Sequence, residues 1–375
     1  MEKNKKVLFV AGVDIHIKYF HLPYLHYFKE QGYEVHVATN SSAALPYCDR
    51  KHGISMARSP FKACNIHGYK ELKKLIEREN FELIHCHMPM AAFLTRLAAK
   101  RNRKTGTKVI YTAHGFHFFK GAPLLNWLIY YPIEKVLAHY TDCLITINEE
   151  DFFRARKHRF AAKQIEKVNG VGIDLKRFKA VSVEEKQDLR KRYGYEKEDF
   201  ILMYVAEIRK QKGQQELIEC IPRLKEYIPH LKLLLVGGDG RNGYCQKLCK
   251  ELQVEEQIDF LGLRNDIPQL LSIADLYVAP SQREGLPVNV MEAIASGLPI
   301  CATKIRGHVD LIQDEVNGKL FEKGNKEELI SIICEIYAKK TKVASWIQQE
   351  LIDVKRYEID NVKQALVKIY EAYIK

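Results

Sequence analysis

Glu284 and Glu292 flank the segment Gly285-Leu-Pro-Val-Asn-Val-Met291. The glycine and neighbouring loop amides suit an oxygen-rich ligand. Pro287 suits the first turn of a helix, and a carboxylate carried on that helix accepts both hydroxyls of a ribose. Upstream, Glu207-Ile-Arg-Lys-Gln-Lys-Gly213 follows an apolar run ending at Ala206 and precedes an amphipathic stretch. Unpaired N–H groups and the helix dipole favour an anion at such a helix start, and Arg209, Lys210 and Lys212 would add charge-assisted hydrogen bonds. Between these segments, Val236-Gly-Gly-Asp-Gly240 offers backbone that a ligand approaches without meeting side chains.

Histidines make up a second group. His114 stands beside Gly115 after the apolar run Lys108 to Thr112, so it would face a cleft and touch a reacting group, with His117 three residues on. His85 and His87 share one face of a strand. With no third ligand in view, they read as a buried structural pair rather than a metal centre.

Parallel sheets would place these residues at strand ends. Short apolar runs alternate with longer amphipathic segments, as in βαβ units. Strands are expected at residues 7–12, 34–39, 83–87, 108–112 and 143–147, then at 201–206, 232–237, 258–261, 276–279 and 299–302. Helices are expected at Tyr69 to Asn80, Met90 to Lys100 and Leu124 to Ala138. Asn169-Gly-Val-Gly-Ile-Asp174 interrupts the rhythm and reads as a linker. The expected fold is α/β, with two Rossmann-like doubly wound domains, 1–172 and 173–356, facing a central cleft, and a final helix (357–375) packing back on the first. Ligands of such sheets bind beyond the carboxyl ends of the strands.

Composition sets the boundaries of function. A chain of 375 residues exceeds one usual core. Nine scattered cysteines without a metal-ligand pattern point to a reducing, cytoplasmic compartment. The apolar run after Lys3, Lys5 and Lys6 stops at Asp14 and reads as a strand rather than a signal peptide, and no run approaches the roughly 20 residues of a membrane span. The net charge of +12 is uneven: residues 1–180 hold 30 Lys and Arg against 16 Asp and Glu. That basic half could meet an anionic membrane or a phosphorylated ligand. Phe116, Phe118, Phe119, Leu124, Leu125, Trp127 and Leu128 lie among its charges, as lipid-facing or core residues.

The Glu284-x7-Glu292 pair, the Lys212-Gly213 loop, Val236-Gly-Gly-Asp-Gly240, Tyr111-Thr-Ala-His-Gly-Phe-His117 and the linker, in that strand context, resemble the GT-B glycosyltransferases of family 4. This retaining group includes capsule, exopolysaccharide and O-antigen enzymes. The resemblance implies a sugar nucleotide donor, expected to be a UDP-hexose or UDP-N-acetylhexosamine, and a glycan or polyprenyl-diphosphate-linked acceptor. It implies that Lys212 holds the diphosphate with backbone at Gly238, Gly285 and Leu286. Glu284 would bind the transferred sugar, Glu292 the ribose, and His114 the sugar from the other domain. Backbone near Arg264 would meet the base. Gly12 and a loop with Asp14, His16 and Lys18 would border the acceptor side, as would His117. Glu207 stands where the family often has a phosphate-binding arginine, which leaves Arg209 or Lys210, with Arg209 preferred, to supply the second charge, or Lys212 and the helix dipoles to act without it. No Asp-x-Asp motif appears, and no metal or cofactor is expected to be required. Peripheral contact with the inner face of the membrane is expected, and no nucleic acid partner. A sugar-nucleotide epimerase of the same fold would instead convert the donor without acceptor. A nucleic-acid-binding protein would shift DNA or RNA, and a glycan-binding module would tolerate loss of Lys212 and Glu292.

Overall fold

Apolar runs bounded by charged or glycine-containing turns become strands buried on both faces, as parallel sheets require. The computed structural model describes residues 5–339 and 342–374. The chain divides into two units, Met1–Gly172 with Asp360–Lys375, and Ile173–Ile359. In the first unit β1 (Lys6–Val10), β2 (Glu34–Thr39), β3 (Arg50–Gly53), β4 (Leu83–His87), β5 (Lys108–Ala113), β6 (Cys143–Thr146) and β7 (Gln164–Lys167) form one parallel sheet in the order β3-β2-β1-β4-β5-β6-β7. Helices Cys64–Glu79 and Pro89–Ala98 bury Leu72, Leu75, Ile76 and Leu94 in a core with Leu8, Val10, Ile84 and Val109.

The second unit repeats the plan. β8 (Phe200–Val205), β9 (Leu231–Val236), β10 (Ile258–Gly262), β11 (Leu276–Ala279), β12 (Ile300–Thr303) and β13 (Lys319–Phe321) pair in parallel in the order β10-β9-β8-β11-β12-β13. Both sheets reverse direction of growth beside their first strand, between β1 and β4 and between β8 and β11. Such switch points open a crevice at the strand ends. The expected doubly wound α/β fold is present in both units. Three strands lie outside the sequence expectation: β3, β7 and β13 are short, and charged residues interrupt their apolar pattern.

The final helix runs Ile359–Glu371, after a tight turn at Val354–Tyr357, so it starts two residues later than expected. Its Tyr370 is fully buried in the first unit. The hydroxyl lies 2.7 Å from His85 Nδ1, and the ring packs 5.0 Å from that of Phe28. His85 Nε2 meets Thr112 Oγ1 at 2.8 Å, so both of its ring nitrogens are engaged in holding the core together. Among the described residues, no helix is long and apolar enough to cross a membrane.

Candidate active site

The loops following β8 and β11 meet at the switch point of the second sheet. Lys212 and Gly213 end the first loop, and helix Gln214–Tyr227 begins there. Gly213 has φ 74°, and a Cβ on it would lie 2.1 Å from the Pro280 carbonyl oxygen, so the two loops pack backbone to backbone. Gln282 N–H donates to the Gln211 carbonyl (2.8 Å), and Gln282 Nε2 donates to Glu216 (2.9 Å). Gly213→Ala adds left-handed strain to this overlap and is expected to cost at least about 2 kcal/mol. Thermal unfolding should register it as a fall in Tm of roughly 4–8 °C.

A chain of polar groups crosses this contact. Tyr204 and Ser281 hydroxyls lie 2.6 Å apart, Ser281 donates to Glu284 Oε1 at 2.6 Å, and Lys212 Nζ donates to the same oxygen at 2.7 Å. The Glu284 side chain is largely buried and Lys212 is partly exposed, so the ammonium reaches the carboxylate and the solvent side together. The Glu284 carbonyl accepts from Arg306 Nε (3.0 Å), and Thr303 Oγ1 donates to the Ser281 carbonyl (2.5 Å). His308 is buried behind the pair. Its Nδ1 is bonded to Thr303, while Nε2 has no hydrogen-bond partner among the described residues. Burial holds its imidazole below the usual range against the pull of Glu284. Arg306 and His308 follow a different strand, β12, and were not singled out from the sequence although Gly307 stands between them.

Helix Val288–Ala295 carries Glu292 one turn in, and Pro287 caps the helix rather than occupying its first turn. Asn289 Nδ2 donates to the Val205 carbonyl (2.7 Å) and ties this helix to β8. Burial pushes the Glu292 carboxyl up to about 7, against the pull of the Arg177 guanidinium. Burial also raises the Tyr277 phenol, reinforced by the fields of both Glu292 and Glu284. Lys212 and Glu284 are thus in direct contact, and the charges of both Glu284 and Glu292 reach Tyr277. Arg177 was not anticipated, because it lies just past the linker, about a hundred residues before the glutamates.

The other expected donor residues take varied positions. Gly285 packs its carbonyl against Gly307, where a Cβ would come within 2.7 Å, and Leu286 is buried beside it. In the Val236–Gly240 turn the sterically required glycines are Gly237, whose Cβ would lie 2.2 Å from the Ala206 carbonyl oxygen, and Gly240, whose Cβ would lie 2.9 Å from the Ile208 carbonyl oxygen; Gly238 has room for one. Arg209 is bound by Glu207 through two contacts of 2.7 Å. Its charge is therefore matched within its own loop. Arg264 is held similarly by Asp266, at 2.8 and 2.6 Å.

In the first unit, Asp14, His16 and Lys18 lie on a helix, Asp14–Phe20, and not on the loop expected from sequence. Asp14 is paired with Lys51 (2.8 Å) and Thr39, and Lys18 is exposed. His16 and His114 approach edge to face, their rings 4.7 Å apart. His117 stacks on Tyr130, with centroids 4.6 Å apart. Gly12, His117 and Tyr130 line a largely apolar cavity of about 540 Å³ together with Met88, Met90 and Phe93. The aromatic and leucine cluster separates into two groups. Phe116 and Phe118 are buried, whereas Leu124, Leu125 and Leu128 on helix Leu124–Ala138 stand 73%, 63% and 65% exposed.

Comparison with known proteins places this geometry. Residues 185–350 match the family described as glycosyl transferases group 1, and residues 6–148 match glycosyl transferase 4-like. The chain is 44% identical over 371 residues to EpsD of Bacillus subtilis, a glycosyltransferase by name, covering 99% of this chain and 97% of that protein. It is 27% identical over 390 residues, 99% of each chain, to the N,N'-diacetylbacillosaminyl-diphospho-undecaprenol alpha-1,3-N-acetylgalactosaminyltransferase of Campylobacter jejuni. HepE of Anabaena, solved with UDP-glucose, superposes with a TM-score of 0.79 at 19% identity over 98% of this chain and 99% of that one. The fold is thus that of the GT-B enzymes, and the chain belongs to the glycosyltransferase family whose group 1 and 4-like domains it carries in sequence.

Proposed function

We propose that this glycosyltransferase moves a hexose or N-acetylhexosamine from a UDP-sugar to a lipid-diphosphate-linked or glycan acceptor in surface polysaccharide synthesis, with retention at the anomeric carbon. The observation that carries the reading is Lys212 held against Glu284 at a switch point, beside a helix start. The ammonium and the first-turn amides match the charge of a diphosphate, and Glu284 accepts hydroxyls of the sugar attached to it. Glu292 accepts the ribose hydroxyls. Arg209, already matched by Glu207, is left a lesser part. Neutralisation of the diphosphate is assigned to Lys212 and the backbone, without a metal on the phosphates.

In the retaining step the acceptor hydroxyl attacks the anomeric carbon on the face from which the diphosphate departs. The bond to the leaving phosphate oxygen breaks, and that oxygen takes the acceptor proton. The protein positions the partners and stabilises the leaving charge. The first unit takes the acceptor, with His114, His16 and the cavity beside Gly12 and His117 on that side. Its exposed leucines next to a basic surface suit work at the inner membrane face. Relatives from Escherichia coli (29% identical over 71% of this chain) and C. jejuni are both named for alpha-1,3 transfer to a diphosphoundecaprenol-linked sugar.

The test is transfer from a panel of UDP-sugars to a polyprenyl-diphosphate-linked sugar in anionic vesicles, following the anomeric configuration of the product. One donor should give an α-linked product. Conversion of the donor without acceptor would support the epimerase instead, and an inverted product would remove the retaining step.

A further inference from the structure

Four imidazoles converge at the switch point of the first sheet. His16 lies on helix Asp14–Phe20, His21 follows that helix, His87 ends β4, and His114 follows β5. One nitrogen from each lies within 4.8 Å of the other three. His16 Nε2 and His21 Nε2 are 3.2 Å apart, and His114 Nε2 and His87 Nδ1 are 3.5 Å apart. A tetrahedral ion bound at about 2.0–2.1 Å sets its ligand nitrogens about 3.3–3.4 Å apart, between these two separations. The rings of His21 and His87 stack at 3.8 Å.

The cluster has more nitrogens than partners. His21 and His87 are buried, and His21 Nδ1 and His87 Nε2 make no hydrogen bond among the described residues. His85 is excluded by its bonds to Tyr370 and Thr112, and the nearby carboxylate Asp14 is held by Lys51.

We infer that His16, His21, His87 and His114 form a tetrahedral site for a divalent transition-metal ion, with zinc the ion best suited to four imidazoles in this geometry. The ion would tie together the segments following β1, β4 and β5. All four ligands belong to the first unit; His16 and His114 are the residues placed above on the acceptor side, where the ion would hold them, and the site does not rest on the sugar-transfer reading.

The full chain, stripped of metal with a chelator, is titrated with Co²⁺ and followed by visible absorption. An intense tetrahedral band that saturates at one equivalent and is displaced by Zn²⁺ is expected. His16→Ala and His87→Ala should each weaken Zn²⁺ binding by about 10–100-fold or more. His52→Ala, in the separate His36–His52 pair (3.0 Å), should keep both band and affinity. His16 is only partly buried, so its variant carries the test if His87→Ala fails to fold. Absence of a saturable band, a weak six-coordinate spectrum, an unchanged band in His16→Ala, or loss of binding in a folded His52→Ala overturns the site.

Discussion

Lys212→Ala should reduce the rate of sugar transfer by about 10²–10³, the usual effect of removing one preorganised donor to developing charge. Part of any loss could come from the carboxylate left behind, since Glu284 would lose its ion pair and keep the hydrogen bond from Ser281. Stranding a fully buried charge costs roughly 3–5 kcal/mol, and the partial exposure of this pair makes the cost smaller. Lys212→Met combined with Glu284→Gln, compared with Glu284→Gln alone, separates the two causes. It removes the stranded charge, so stability should recover while transfer stays low. Single-turnover kinetics and thermal unfolding read the two quantities, and wild-type transfer in folded Lys212→Ala would remove Lys212 from the site.

The second large effect belongs to Glu292 and has a pH signature. Its folded pKa of about 7 is raised by burial above the unfolded carboxylate value, so its contribution to stability is complete below about pH 4 and is lost as pH rises through 7. The full excursion amounts to about 3 kcal/mol. Ribose hydroxyls donating to Glu292 favour its ionised form, so a UDP-sugar that does not itself titrate in this range should bind more tightly as pH rises from 6 to 8. Below pH 7, binding should release a proton, which calorimetry in buffers of different ionisation enthalpy detects. Glu292→Gln should bind the donor about 10–100-fold more weakly, given charge-assisted bonds of roughly 1.5–3 kcal/mol. It should also lose the pH dependence and gain stability at pH 8. A pH-dependent donor affinity persisting in Glu292→Gln would place the titrating group elsewhere.

The central strands were legible because burial on both faces demands unbroken apolar runs, such as Val7 to Val10 and Leu233 to Val236. β3, β7 and β13 were not, because an edge strand tolerates residues such as Arg50, Lys51, Gln164 and Lys167 that a central strand excludes. Lys212 and Glu284 could be singled out because each follows a strand and stands beside a glycine, and Glu292 because it lies on the helix that Pro287 opens. The four histidines could not be grouped from sequence. His21 sits between two short helices with no side-chain cap at either start, and its neighbours are supplied by strands far along the chain. Arg209 shows the same limit for charge: its count was visible in sequence, but its bond to Glu207 was not.

Tyr370 reaches the first unit from a segment synthesised after the whole of Ile173–Ile359. Until these last residues are made, the first unit lacks the ring that packs beside Phe28 and the hydroxyl that bonds His85. The beginning of the polypeptide therefore completes its packing only after nearly all of the middle has been synthesised.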